Sequence, residues 1–178
     1  DRKLSEDEML QMAINDVRSA NMLGCKVMRE QYLLGPDTLV KLAPYAEAYD
    51  VKVGIEIHNP ETPNTPIMRK YLEKIKESGS KYIGFVPDFG MFATAPNKPH
   101  WDRAIADGTP VEVMEMAKQM KLDGVPEAEA VKRLEAAGAT QAGLDALQEM
   151  YNFLQFRPTC TAELKGLQEI MPYCFHMH

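Results

Sequence analysis

Three hydrophobic segments alternate with helical segments in the first half of the chain, and this alternation constrains the fold more than any other feature. The hydrophobic segments begin at Cys25, Val51 and Lys81, so their starts are 26 and 30 residues apart. Between them apolar residues recur at helical spacing, with Asp37 able to cap one helix and Thr65-Pro66 able to open the next. Strand, helix and strand at this interval predict right-handed βαβ units and a parallel sheet.

The rest of the chain is predicted to be mainly helical. Ser5 and Glu8 have the spacing of a capping box at the start of a first helix, for which Gly24 is a suitable stop. A fourth strand is predicted at the end of the chain, over Pro172–His178. The helices predicted between the third and fourth strands are Val111–Leu122, Glu127–Ala137, Gln141–Phe156 and Thr161–Met171.

Four parallel strands with their helices predict an α/β protein, either a small open sheet or part of a (β/α)8 TIM barrel with parallel strands and a long helical insertion after the third predicted strand; the second is our expectation. A complete barrel takes about 250 residues, and the chain has 178. We therefore expect residues 1–178 to be a single domain, the interior portion of a barrel, with residues 102–170 as a helical insertion within it. The start on Asp1 and the end on His178, at the tip of a predicted strand, also suggest an interior piece of a longer polypeptide.

Charge and composition exclude several classes of protein. The net charge is −6 and the sequence has no Lys/Arg stripe of the kind that binds a nucleic-acid backbone. No apolar run approaches the roughly 18–20 residues of a membrane span, and no signal-peptide pattern opens the chain. The three cysteines lack CxxC spacing and suit reduced thiols. We expect a cytoplasmic protein that binds neither nucleic acid nor membrane.

Ionisable residues stand at the carboxyl ends of the predicted strands, where parallel α/β proteins build their active sites. Glu56 and His58 are two residues apart, so their side chains leave the same face of a strand. Asp88 follows the next strand, and His176 and His178 end the last one. Carboxylates with an imidazole suit a divalent cation such as Mn²⁺ or Mg²⁺, with Co²⁺ as an alternative, better than a structural zinc, which prefers thiolates.

Each of these residues also has a simpler interpretation. A Glu at a strand end often pairs with Lys or Arg, an Asp before Phe-Gly often caps a turn, and a core histidine often bonds a backbone carbonyl. The Glu-x-His pair and the repetition at successive strand ends favour a site. Of the two last histidines, His178 is the preferred ligand because it lies nearer the strand end, which leaves His176 as a substrate contact.

Three further residues are candidates for substrate binding. Arg29 ends the first predicted strand, where it either neutralises an oxyanion or phosphate of a substrate or forms a salt bridge with a carboxylate. His100 and Trp101 lie in a proline-rich loop after Asp88. There the indole either stacks on a sugar ring or anchors the following helix.

At these positions the sequence resembles the sugar phosphate isomerase/epimerase group of xylose-isomerase-like TIM barrels. The matching stretches are Gly54-Ile-Glu56-Ile-His58, Val86-Pro-Asp88-Phe-Gly and Phe175-His-Met-His178. The resemblance implies that Glu56, Asp88 and His178 bind one divalent cation, often manganese. It also implies a fourth ligand, a glutamate, on a strand that this chain does not contain.

The resemblance further implies an enzyme that removes a proton next to a carbonyl, with a metal-stabilised enediolate. His58 is the candidate base, with Glu56 as a ligand carboxylate that takes part. The first hypothesis is a sugar isomerase or epimerase. The alternatives are a C-glycoside deglycosidase alpha subunit that uses the same proton chemistry, and a non-catalytic barrel scaffold or binding subunit. We expect a carbohydrate substrate and either a homo-oligomer or a complex with a smaller partner subunit.

Overall fold

The computed structural model describes residues 4–31, 34–152 and 154–178, which form two compact units. The first unit contains the chain up to Phe89 together with residues 162–178, and the second contains residues 90–161. The predicted bounds of a helical insertion, 102–170, remain a prediction. In the described part of the chain we find no helix with the length and apolar character needed to cross a membrane.

Three strands and the helices between them form most of the first unit, in the order that the sequence predicts. The Ser5 side chain accepts a hydrogen bond from the Glu8 backbone, and the Glu8 carboxylate accepts one from the Ser5 backbone, so the capping box begins the first helix. Gly79, at φ 63°, ends the third helix in the left-handed conformation that glycine adopts readily. The elements are α1 (Glu6–Met22), β1 (Val27–Glu30), α2 (Pro36–Ala48), β2 (Lys52–Ile57), α3 (Pro66–Ser78) and β3 (Ile83–Pro87).

The sheet is parallel, with strand order β1-β2-β3, as the βαβ pattern predicts. One face carries fully buried apolar side chains, and α2 and α3 pack against the strands. Burial of each such side chain contributes about 1.5–3 kcal/mol, so this face anchors the unit. Its buried residues are Val53, Ile55, Ile57, Ile83 and Phe85.

The prediction of part of a (β/α)8 TIM barrel is wrong. Helix accounts for 59% of the structure, and the described residues contain a sheet of three strands. The long helical stretch after β3, which the barrel hypothesis treated as an insertion, therefore makes up a large share of the fold.

The predicted fourth strand over Pro172–His178 is also wrong. Met171–Tyr173 form a short 3-10 helix, and Cys174 makes an isolated parallel bridge to Phe85. The backbone amides of Phe175 and His178 donate to the carbonyls of Phe85 and Pro87. The two donors are three residues apart and the two acceptors are two residues apart, whereas successive hydrogen bonds of a regular parallel ladder have equal spacing on both strands.

The second unit is helical and has its own apolar core. The three helices predicted over residues 111–156 are present with most of their bounds, but the last ends at Tyr151 rather than Phe156, and Phe153 lies outside the described residues. A further helix over Lys98–Ala106 is absent from the prediction, so the placement of His100 and Trp101 in a loop is wrong. The core residues include Met114, Leu134 and Leu147. The helices of this unit are α4 (Lys98–Ala106), α5 (Val111–Leu122), α6 (Glu127–Ala136) and α7 (Gln141–Tyr151). The last helix of the chain, α8 (Thr161–Ile170), lies almost entirely in the first unit.

Candidate metal centre

The strand register places three of the candidate side chains on one face of the sheet. Arg29 pairs with Gly54, and Glu56 pairs with Val86. Because side chains alternate between faces along each strand, Arg29, Glu56 and Asp88 all leave the face opposite to the buried apolar one. The carboxyl ends of all three strands therefore contribute to the same edge of the sheet.

Glu56, Asp88 and His178 come together at this edge. The Nδ1 atom of His178 lies 2.8 Å from Oε1 of Glu56 and 3.6 Å from Oδ2 of Asp88. One potential ligand atom from each of the three residues lies within 4.8 Å of the others. Glu56 is buried, Asp88 is half-buried and His178 is exposed, so the group opens to solvent on the histidine side.

Backbone hydrogen bonds bring His178 to the end of β3. Its amide donates to the Pro87 carbonyl at 2.8 Å, and its carbonyl accepts from the Phe89 amide at 3.1 Å. The Asp88 amide in turn donates to the Ile57 carbonyl at 2.8 Å. Three chain segments are thus linked in order across the site, from β2 through β3 to the last residues of the chain.

Because Gly84 has no side chain, the segment of residues 173–178 can pack closely against β3. A Cβ atom added at Gly84 would overlap the Tyr173 carbonyl oxygen and would lie 2.8 Å from the Phe175 ring. A larger residue would therefore push the segment away and carry His178 with it.

Arg29 and Gln31 each donate to one oxygen of the Glu56 carboxylate. Arg29 Nη1 lies 2.7 Å from Oε1, and Gln31 Nε2 lies 2.6 Å from Oε2. Burial raises the pKa of Glu56, but the two hydrogen bonds and the Arg29 charge outweigh burial and hold the pKa below its ordinary value. Glu56 is therefore an anion at neutral pH.

The two other histidines near the strand ends differ in their surroundings. His58 Nδ1 lies 2.6 Å from the carbonyl oxygen of Asn59. A carbonyl can only accept, so Nδ1 carries a proton and the basic atom of the neutral ring is Nε2. His176 is exposed and does not belong to the Glu56 group among the described residues.

The remaining predicted substrate contacts are of two kinds. Arg29 forms a salt bridge with Glu56, one of its two predicted roles, and its contact with a substrate stays a prediction. His100 and Trp101 belong to the second unit. There Trp101 is half-buried against the helical core, which is the anchoring role, and stacking on a sugar stays a prediction for both.

Gln31 is the site residue that the sequence interpretation missed. It lies two residues after Arg29, so it leaves the same face of the chain, and the register extended by one residue sets it opposite Glu56. The Arg-x-Gln spacing matches the Glu-x-His spacing that identified Glu56 and His58, and the same alternation argument applies to it.

The donor set fits a hard or intermediate divalent cation. Two carboxylate oxygens and one imidazole nitrogen suit Mn²⁺ or Mg²⁺, and no cysteine lies in this group of potential ligands among the described residues. Adjacent ligands of an octahedral ion with bonds of about 2.1 Å lie about 3 Å apart. The two measured separations, 2.8 Å and 3.6 Å, are close to that spacing.

Comparison with curated proteins gives relatives of one kind, whereas no family model matches the chain. A 3'-dehydrocarminate deglycosidase alpha subunit from a Microbacterium species is 35% identical over 94 residues, which are 53% of this chain and 27% of that protein. A C-glycoside deglycosidase alpha subunit from Arthrobacter globiformis is 40% identical over 91 residues, 50% of this chain and 25% of that protein.

A further C-glycoside deglycosidase alpha subunit from Arthrobacter globiformis matches the whole chain at 26% identity, and the match covers 51% of that protein. The chain thus spans between about a quarter and about half of the length of the curated relatives it matches. These relatives support the deglycosidase hypothesis and give no support to the xylose-isomerase-like barrel family. The chain is similar, at modest identity, to alpha subunits of C-glycoside deglycosidases.

Proposed function

We propose that this chain is part of a metal-dependent deglycosidase alpha subunit that cleaves an oxidised C-glycoside. The observation that carries the proposal is the convergence of Glu56, Asp88 and His178 within 4.8 Å at the carboxyl edge of a parallel sheet. The names of the relatives supply the reaction class. The isomerase or epimerase hypothesis has no support from them.

Glu56, Asp88 and His178 would hold the cation, for which Mn²⁺ is the preferred metal. A divalent cation bound there supplies positive charge to a carbonyl oxygen on which negative charge develops during the reaction. Glu56 is suited to a ligand role because its pKa is lowered and its carboxylate is held by two donors. Asp88 and His178 complete a half-open group in which a sugar has access from the His178 side.

His58 is the proposed base, with Nε2 as the accepting atom. It takes the proton from the carbon that lies between the sugar carbonyl and the carbon bearing the aglycone, and the C–H electron pair is delocalised onto the carbonyl oxygen. The pair then forms a double bond to the carbon that bears the aglycone. The bond between that carbon and the aglycone breaks, and the aglycone leaves with the electron pair and takes up a proton. A positioned base contributes about 10²–10⁴-fold to such a rate.

Substrate contacts and a partner subunit belong to the same proposal. Arg29 and His176 of the first unit are the proposed carbohydrate contacts, and the predicted sugar contacts of His100 and Trp101 in the second unit stay predictions. Because the relatives are named alpha subunits, we propose that the protein works in a complex with another, smaller subunit.

The proposal is tested by metal content and aglycone release in one set of proteins. We expect the wild type to retain stoichiometric Mn²⁺ after dialysis and to release the aglycone from a C-glycoside with an oxidised sugar. Glu56→Gln and Asp88→Asn should lose both properties and keep the fold, as judged by circular dichroism. Arg69→Gln, which removes a surface ion pair with Glu169, is the matched control.

Two outcomes would contradict the proposal. Full activity of Glu56→Gln in metal-depleted buffer would exclude the metal-dependent reaction. A wild type that binds no Mn²⁺ would favour a scaffold subunit, in which the Arg29 salt bridge neutralises the buried Glu56 carboxylate without a cation.

A further inference from the structure

Arg29 and Gln31 hold the two oxygens of the same carboxylate, and we propose that they affect metal binding in opposite directions. Gln31 is a positioning residue that orients Glu56 as a ligand. Arg29 is a displaceable counter-ion that competes with the cation for Glu56. This inference rests on the proposed metal binding by Glu56, Asp88 and His178.

Gln31 contacts Oε2 of Glu56, whereas His178 lies against the other oxygen, Oε1. The Gln31 Nε2 atom lies 2.6 Å from Oε2, and His178 Nδ1 lies 2.8 Å from Oε1. The Gln31 bond therefore fixes the rotation of the carboxylate with Oε1 toward His178. Its amide is neutral, so it adds no charge that repels a cation, and such partners of ligand residues typically change metal affinity 10–100-fold.

Arg29 contacts the oxygen that a cation would use. Its Nη1 atom lies 2.7 Å from Oε1 and 3.4 Å from His178 Nδ1, so the guanidinium faces two of the three potential ligand atoms. A cation with a bond of about 2.1 Å to Oε1 would lie no more than about 4.8 Å from Nη1, given the 2.7 Å contact. At that distance the repulsion between a divalent cation and a guanidinium is substantial.

Exposure shows which of the two partners has room to move. The Glu56 side chain is 2% exposed, whereas the Arg29 side chain is 42% exposed. Arg29 has solvent on one side, and Glu56 remains bound by Gln31 through its other oxygen. Arrival of a cation should therefore displace Arg29 toward solvent and leave Glu56 in place.

The experiment measures the Mn²⁺ dissociation constant of purified protein by isothermal titration calorimetry. We expect Arg29→Gln to bind Mn²⁺ about tenfold more tightly than the wild type, because a repelling charge is gone. We expect Gln31→Met, which keeps the chain length and removes the donor, to bind about tenfold more weakly. Arg29→Lys keeps the charge and should stay weaker than Arg29→Gln.

The opposite changes in Mn²⁺ affinity expected for Arg29→Gln and Gln31→Met distinguish this inference from a purely structural role of the two residues. Both variants lose one hydrogen bond to Glu56, so a structural role alone would shift the two affinities in the same direction. Weaker or unchanged binding in Arg29→Gln, while Glu56→Gln abolishes binding, overturns the inference and leaves the proposed function intact. Absence of Mn²⁺ binding in the wild type overturns both.

Discussion

The imidazole Nδ1 atom of His178 lies 2.8 Å from Oε1 of Glu56, although the two residues are 122 positions apart in the sequence. A carboxylate oxygen and an unprotonated ring nitrogen repel each other at this distance, since both present lone pairs. A proton on Nδ1 or a cation bound to both atoms removes the repulsion. The position of His178 therefore depends on whether a proton or a cation lies between its Nδ1 atom and Glu56.

The first prediction compares the two histidines at the end of the chain. His178→Asn should weaken Mn²⁺ binding at least tenfold, because it removes one of three ligand atoms. His176→Asn should leave the Mn²⁺ dissociation constant unchanged, since His176 is exposed and outside the ligand group. Calorimetric titration of both variants checks this, and equal effects would place the ligand role of His178 in doubt.

The sequence predicts those features of the structure that neighbouring residues determine. The strand that carries Glu56 at its carboxyl end and the glycine stop at Gly79 depend on neighbouring residues, and both are present in the structure. The opposition of Gln31 and Glu56 depends on strand register, which the residues of one strand do not determine. Alternation places Arg29 and Gln31 on the same face of the chain but does not show that Gln31 contacts Glu56.

The errors have physical causes of the same kind. The Tyr-Cys-Phe-His-Met-His segment has the apolar content of a strand, but Pro172 lies in a 3-10 helix and the following hydrogen bonds lack the regular ladder spacing. The barrel hypothesis extended a likeness at three short motifs to an entire architecture. Motifs at strand ends define a site, and different folds can carry such sites.

The second prediction separates the base from the ligands. His58→Asn should lower the rate of aglycone release by about 10²–10⁴-fold, the usual contribution of a positioned base. The Mn²⁺ dissociation constant should stay within about twofold of the wild type, because His58 is not in the ligand group. A parallel loss of metal would instead show that His58 acts by holding the cation.

The third prediction concerns Gly84, which lies under the final segment of the chain. Gly84→Ala should lower the free energy of unfolding by about 1–3 kcal/mol, as overpacking typically does. It should also weaken Mn²⁺ binding, because the added methyl group would push the segment of residues 173–178, which carries His178, away from β3. Urea denaturation and calorimetric titration measure the two effects.

Gly35→Ala is the matched control for Gly84. A Cβ atom at Gly35 meets no atom within 4 Å, and its φ of −64° suits any residue. This variant loses a favourable helix N-cap residue and should cost stability, yet it should leave the Mn²⁺ affinity unchanged. If both glycine variants weaken Mn²⁺ binding equally, the effect of Gly84→Ala is a general loss of stability.

The last prediction is a pH dependence of stability that originates at Glu30. Burial, and to a lesser extent the negative charge of Asp16, raise the pKa of Glu30 above its ordinary value of 4.5. The folded protein therefore prefers the protonated carboxyl group, and stability should fall as the pH rises from below 4.5 through the raised pKa. Glu30→Gln removes this titration, so it should be more stable than the wild type at pH 7 and should lose that advantage near pH 4. Urea denaturation of both proteins between pH 4 and 8 measures the difference, and an advantage that does not grow with pH would contradict the assignment.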